Sequence, residues 1–80
     1  MTARQRRTRR RNDIIVVCNQ MRSDSAQGQG LDPKNYDRNN LYEVIMDCCG
    51  LDYMSDPEKR LAVVAFEEGT TAAKDSPWYK

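Results

Sequence analysis

The sequence predicts an all-α fold, a small helical bundle, on three observations. Leu41, Val44, Ile45 and Cys48 recur at the spacing of one helical face. Ser55-Asp56-Pro57-Glu58 is a helix start, with a capping serine, a proline suited to the first turn and a glutamate to complete a capping box. Ile14, Val17, Cys18 and Met21 fall at i, i+3, i+4 and i+7. With 80 residues the chain has room for a single core.

The elements follow in order. Residues 1–12 carry six arginines and no acid, and beyond Met1 and Ala3 they offer nothing apolar to bury. Six like charges in eight positions repel one another, so a disordered basic arm is expected when the protein is free. Residues 13–23 favour a helix on their spacing, although residues 14–17 are β-branched; read as a strand, together with residues 61–66, they would give the runner-up, a small α+β fold. Residues 23–36 gather Ser, Asp, Gly and Pro33 and read as a flexible loop. The Gly28-x-Gly30 within it lacks the strand and third glycine of a dinucleotide fingerprint.

A helix over residues 37–49 ends at Gly50, a glycine placed for a left-handed cap. The helix started by Ser55 runs to Glu68 and stops at Gly69; apolar around most of its circumference, it is the expected centre of the bundle. Residues 70–80 lack periodicity and form a tail. The domain proper is thus residues 13–69, close to the size at which a body is marginal alone, and a homodimer is one way to add buried area.

Composition narrows function. There is no histidine, the commonest general base and metal ligand, and no nucleophile or phosphate-loop signature replaces it, so no enzymatic activity and no cofactor are expected. Cys18, Cys48 and Cys49 lack the spacing of a zinc site and read as reduced thiols, small buried hydrophobes of a cytoplasmic protein. No apolar run approaches the roughly 20 residues of a membrane span. The basic start is followed by too short an apolar stretch for a signal peptide, and residues 2–12 have no apolar face for a mitochondrial presequence.

Charge is the informative quantity. The net of +1 conceals an arm of +6 and a remainder of seven bases against twelve acids, or −5. Arginine presents a planar fork that matches phosphate oxygens and stays charged at any relevant pH. Arg4, Arg6, Arg7, Arg9, Arg10 and Arg11 are therefore the expected nucleic-acid contacts, to RNA in preference to DNA. In a helix, Arg4, Arg7, Arg10 and Arg11 would line one side and Arg6, Arg9 and Arg10 the adjoining arc. Six neutralised phosphates imply a log–log salt slope of roughly −4 on single strands or −5 on duplex DNA.

The segment Ala3-Arg4-Gln5-Arg6-Arg7-Thr8-Arg9-Arg10-Arg11 resembles the arginine-rich motif that opens the N antitermination proteins of lambdoid phages, which becomes a bent helix on an RNA hairpin in the nascent transcript. It is similar as well to the basic arms of some plant-virus coat proteins. The resemblance implies that Ala3 packs close to the RNA, that Arg6, Arg7, Arg10 and Arg11 contact its backbone, and that the protein serves phage-type transcription control. It covers about ten residues and ends at Asn12-Asp13, where four β-branched residues replace a polar helical continuation.

The acidic body offers the arm a place to fold back on when no polyanion is bound, and it offers a surface to a protein partner. Acids at Asp47, Asp52, Asp56, Glu67 and Glu68 suggest the second functional reading, a small inhibitor that occupies a basic site on a host enzyme. Glu67 and Glu68, with Trp78 and Tyr79, are the candidate partner contacts. Trp78 and Tyr79 read first as a clip returning to the core, and second as a docking peptide. Tyr36, Tyr42 and Tyr53 are expected to finish the core with their hydroxyls in water.

Overall fold

The computed structural model describes residues 2–79, and it is a bundle of four helices: α1 (Ala3–Ala26), α2 (Arg38–Cys49), α3 (Asp56–Glu68) and α4 (Thr70–Asp75). No strand occurs among the described residues, where Asp32 and Asn35 form one isolated antiparallel bridge. The β-branched run is therefore helical: Ile14, Ile15 and Cys18 are buried, while Val17 and Met21 pack half-buried beside them. Local preference yields because burying these side chains stabilises by roughly 1.5–3 kcal/mol each, several times a helix-propensity penalty.

The core joins Ile14, Ile15 and Cys18 of α1 with Leu41 and Ile45 of α2, Leu61, Ala62, Ala65 and Phe66 of α3, and Ala73 of α4. As its all-round apolar sequence requires, α3 packs against each of the other three helices. Ser55 caps it, its side chain accepting from Glu58 N while the Glu58 side chain accepts from Ser55 N. Arg22 of α1 closes the other end by donating to Phe66 O at 2.8 Å, a cation where the helix dipole favours one. Gly69 then takes φ 106° and ψ 177°, a conformation essentially restricted to glycine, and so divides α3 from α4.

In α2, Asp37 is the N-cap and Gly50 the left-handed C-cap. The buried face is rotated from the expected one: Leu41 and Ile45 are buried, but Val44 is partly exposed and Cys48 exposed, and Cys49 is the member of the vicinal pair that turns inward.

Three sequence boundaries are corrected. The helix continues past Ser23 to Ala26, shortening the loop to residues 27–37. Residues 70–75, expected as tail, form α4 with Ala73 in the core. The largest correction concerns the arm: residues 3–12 are helical and continuous with residues 13–26, with no boundary at Asn12. A helix of 24 residues is about 36 Å long, close to the 39 Å length of the molecule. The sequence held the signal, because Thr2-x-x-Gln5 is itself a capping box. The Thr2 side chain accepts from Gln5 N at 3.2 Å, and Thr2 N donates to Gln5 Oε1 at 2.8 Å.

Candidate nucleic-acid interface

The two halves of α1 share a stripe. At 3.6 residues per turn, Arg4, Arg7 and Arg11 fall within about 60° of arc and in line with Ile14, Ile15 and Cys18. Where the stripe meets the bundle it is apolar and buried. Beyond the bundle it is arginine. Residues 3–9 are all exposed and residues 10–12 half-buried, so the first turns of α1 overhang the body.

Tethers at residues 10–12 fix the overhang. Arg10 forms a two-pronged ion pair with Glu58, Nε to Oε2 at 2.8 Å and Nη2 to Oε1 at 3.1 Å, and Nη2 also donates to Tyr53 O at 3.2 Å. Its guanidinium lies 5.5 Å from the centroid of the Tyr53 ring. Arg11 Nε donates to Trp78 O at 3.2 Å, and the Tyr79 hydroxyl donates to Asn12 Oδ1 at 2.7 Å. Glu58 is buried, and burial alone would hold its proton on; hydrogen bonds from Arg10 and from Ser55 N outweigh that and leave the carboxyl below its ordinary pKa. The hydrogen bond to Glu58 likewise raises the Arg10 pKa against the opposing effect of burial.

The six arginines thus divide. Arg10, expected to contact phosphate, has its fork committed to Glu58. Arg11 spends Nε on the body and lines a concavity of about 290 Å³ together with Arg4, Arg7, Thr8 and Tyr79. A second concavity of about 260 Å³ adjoins it, lined by Arg7, Arg10, Arg11, Tyr53, Ser55 and Glu58. Arg7 and Arg11 border both. Arg6 and Arg9 lie on the remaining arc of the helix, and Ala3 opens it, exposed.

The other candidate contacts lie elsewhere. Trp78 and Tyr79 are half-buried and return to the body: the Arg60 guanidinium covers the Trp78 ring at 4.8 Å, and the Tyr79 hydroxyl meets Asn12. Glu67 accepts from the Tyr36 hydroxyl at 2.5 Å, and the Tyr36 ring stands edge-on to Phe66 with centroids 5.0 Å apart. Burial, then that hydrogen bond, raise the Tyr36 pKa. Glu68 is exposed. The concavity beside Glu67 and Glu68 also contains Arg22 and Lys34, so its charge is mixed. Burial pushes the Cys18 thiol up to about 12, and it donates to Ala62 O, which suits a packing role.

Two residues of the interface were not anticipated. In the sequence Glu58 reads only as half of a capping box, whereas in the fold the same carboxylate serves Ser55 and Arg10 together. Tyr53, expected to finish the core, is 66% exposed; its place in a polar loop, among Asp52 and Ser55, is the sequence signal for that exposure.

Fold and site together define a small helical protein with an arginine-faced helix overhanging its bundle. Family models, curated proteins and solved structures offer no match to this chain.

Proposed function

We propose that the protein is a non-enzymatic nucleic-acid-binding regulator whose overhanging half of α1 contacts phosphates, those of RNA in preference to DNA. The observation that carries this reading is the display of Arg4, Arg7, Arg9 and Arg11 on an exposed, capped helix with no acid between residues 3 and 12. Arginines held on a formed helix meet phosphates without the ordering cost of a disordered arm. Its preference for RNA rests on the resemblance of residues 3–11 to the arginine-rich motif of the phage N proteins, and a role in transcription control rests on the same likeness.

With Arg10 engaged by Glu58, the slope is expected to be shallower than for six phosphates; Arg4, Arg7, Arg9 and Arg11 alone imply a log–log slope of roughly −3 on single strands or −3.5 on duplex DNA. The acidic surface draws less support as an inhibitor face, because Glu67 is occupied by Tyr36 and the adjoining concavity is lined by Arg22 and Lys34.

The test is fluorescence anisotropy of a labelled RNA hairpin and a DNA duplex of equal length across a salt series. Binding to the hairpin with a steep negative slope, lost in the Arg4→Ala/Arg7→Ala/Arg9→Ala variant while the melting curve is unchanged, supports the reading. Equal affinity of wild type and variant overturns it, and equal affinity for the two nucleic acids overturns the preference for RNA.

A further inference from the structure

Resting on that reading, we infer that the notch beneath the overhang takes an unpaired stretch of RNA, with a base stacked on Tyr53 and the flanking phosphates on Arg7 and Arg11. Tyr53 is the large aromatic the fold leaves in water. It is 66% exposed, whereas Tyr36, Tyr42, Trp78 and Tyr79 all pack half-buried against the core. Nothing in the packing requires it. Yet it is not loose: Arg10 grips its carbonyl at 3.2 Å and lies over its ring at 5.5 Å, while Glu58 fixes the same guanidinium from the other side. A rigid aromatic with exposed surface, held without the help of a ligand, is a stacking platform prepared in advance.

What surrounds it sets the class of occupant. Tyr53 shares its concavity with Arg7 and Arg11, and those two arginines also border the neighbouring concavity with Arg4 and Tyr79. Cation and aromatic alternate at close quarters, which is the arrangement that binds single strands: the charge follows the backbone and the ring meets the base. A duplex gives such a ring nothing to stack on, because its bases already stack on one another. The concavities, about 260 and 290 Å³, fall just below the usual range of small-molecule sites, a scale that suits a base and its phosphate rather than a helix. Arg9, on the rest of the arc and exposed, is placed for a paired stem beside the unpaired stretch. The RNA implied is therefore a paired segment with an adjoining loop or single-stranded end.

The experiment measures binding of full-length wild type, Tyr53→Ala and Tyr53→Phe to a 12-nucleotide oligoadenylate and to a fully paired RNA duplex with as many phosphates, at one salt concentration, with melting curves of all three proteins. Tyr53→Ala is expected to weaken oligoadenylate binding about 5- to 150-fold and to leave the duplex unchanged, while Tyr53→Phe retains wild-type affinity for both. Unchanged oligoadenylate binding by Tyr53→Ala overturns the inference and leaves the phosphate reading standing. Equal weakening on both RNAs also overturns it, because the ring then acts only through Arg10. If wild type binds neither RNA, the inference falls together with the proposed function.

Discussion

One helix contains two regions that are stabilised by different means. Residues 13–26 of α1 hold their conformation by burial, with Ile14, Ile15 and Cys18 in the core. Residues 3–9 bury nothing. They are helical because arginine is a good helix former, because Thr2 and Gln5 close a capping box, and because Arg10, Arg11 and Asn12 anchor the turn below them. A hydrophobic face makes a helix part of a fold. The same face written in arginine makes it an instrument the fold holds out, and the seam between the two is the Arg10–Glu58 pair.

The largest expected effect lies in the buried half. Ile14→Ala should cost about 2–5 kcal/mol, which for a body of this size approaches the whole stability. Chemical denaturation should show the midpoint collapse, with α1 lost throughout its length. An Ile14→Ala protein that lost residues 3–12 alone and kept residues 13–26 helical would contradict this.

Cutting the seam comes next. Arg10→Ala leaves the Glu58 carboxylate buried without its cation; since Arg10 is itself about a third exposed, 31% at the side chain, the expected cost is about 1–3 kcal/mol rather than the full penalty of a deeply buried pair. Hydrogen exchange should accelerate over residues 3–12 more than in α3. The sign of the pH dependence follows from the Glu58 pKa, which is lowered in the folded protein. Its stabilisation is complete above the ordinary carboxyl value of 4.5 and is lost as pH falls through the lower folded value. Acid denaturation curves should therefore show wild type losing stability below pH 4.5, and Arg10→Ala losing less.

The same comparison explains what the sequence revealed. Helices α2 and α3 are legible because Gly50, Ser55, Glu58 and Gly69 act on neighbours within a turn, and such local chemistry survives in the tertiary structure. The helicity of residues 14–18 was legible from spacing, against their β-branching, because burial dominates propensity. The overhang is not legible from charge alone: repulsion among the arginines is visible in the sequence, while the anchors supplied by Glu58, Trp78 O and the Tyr79 hydroxyl come from residues more than forty positions away. The six arginines of the candidate site were visible as a set, but their division was not. Which of them faces a carboxylate depends on where α3 begins in space, and α4 was hidden for a like reason, since six residues with a single buried alanine present no period.

The smallest effect is the most discriminating. Thr2→Ala removes the capping box at the far end of the overhang, a change worth about 0.5–1 kcal/mol locally and touching no core residue and no arginine. Global stability should be unchanged by chemical denaturation, while amide exchange quickens in the first turn of α1. If the arginines bind phosphate as a preformed helix, fraying that turn imposes an ordering cost on binding, and affinity for the RNA hairpin should fall by about two- to fivefold at an unchanged salt slope. The slope stays because the same number of phosphates is neutralised; the affinity drops because the free protein has more freedom to lose. Full affinity in Thr2→Ala would mean that residues 3–9 act as a cloud of charge, and the helix would then matter only from Arg10 onward, where it meets the body.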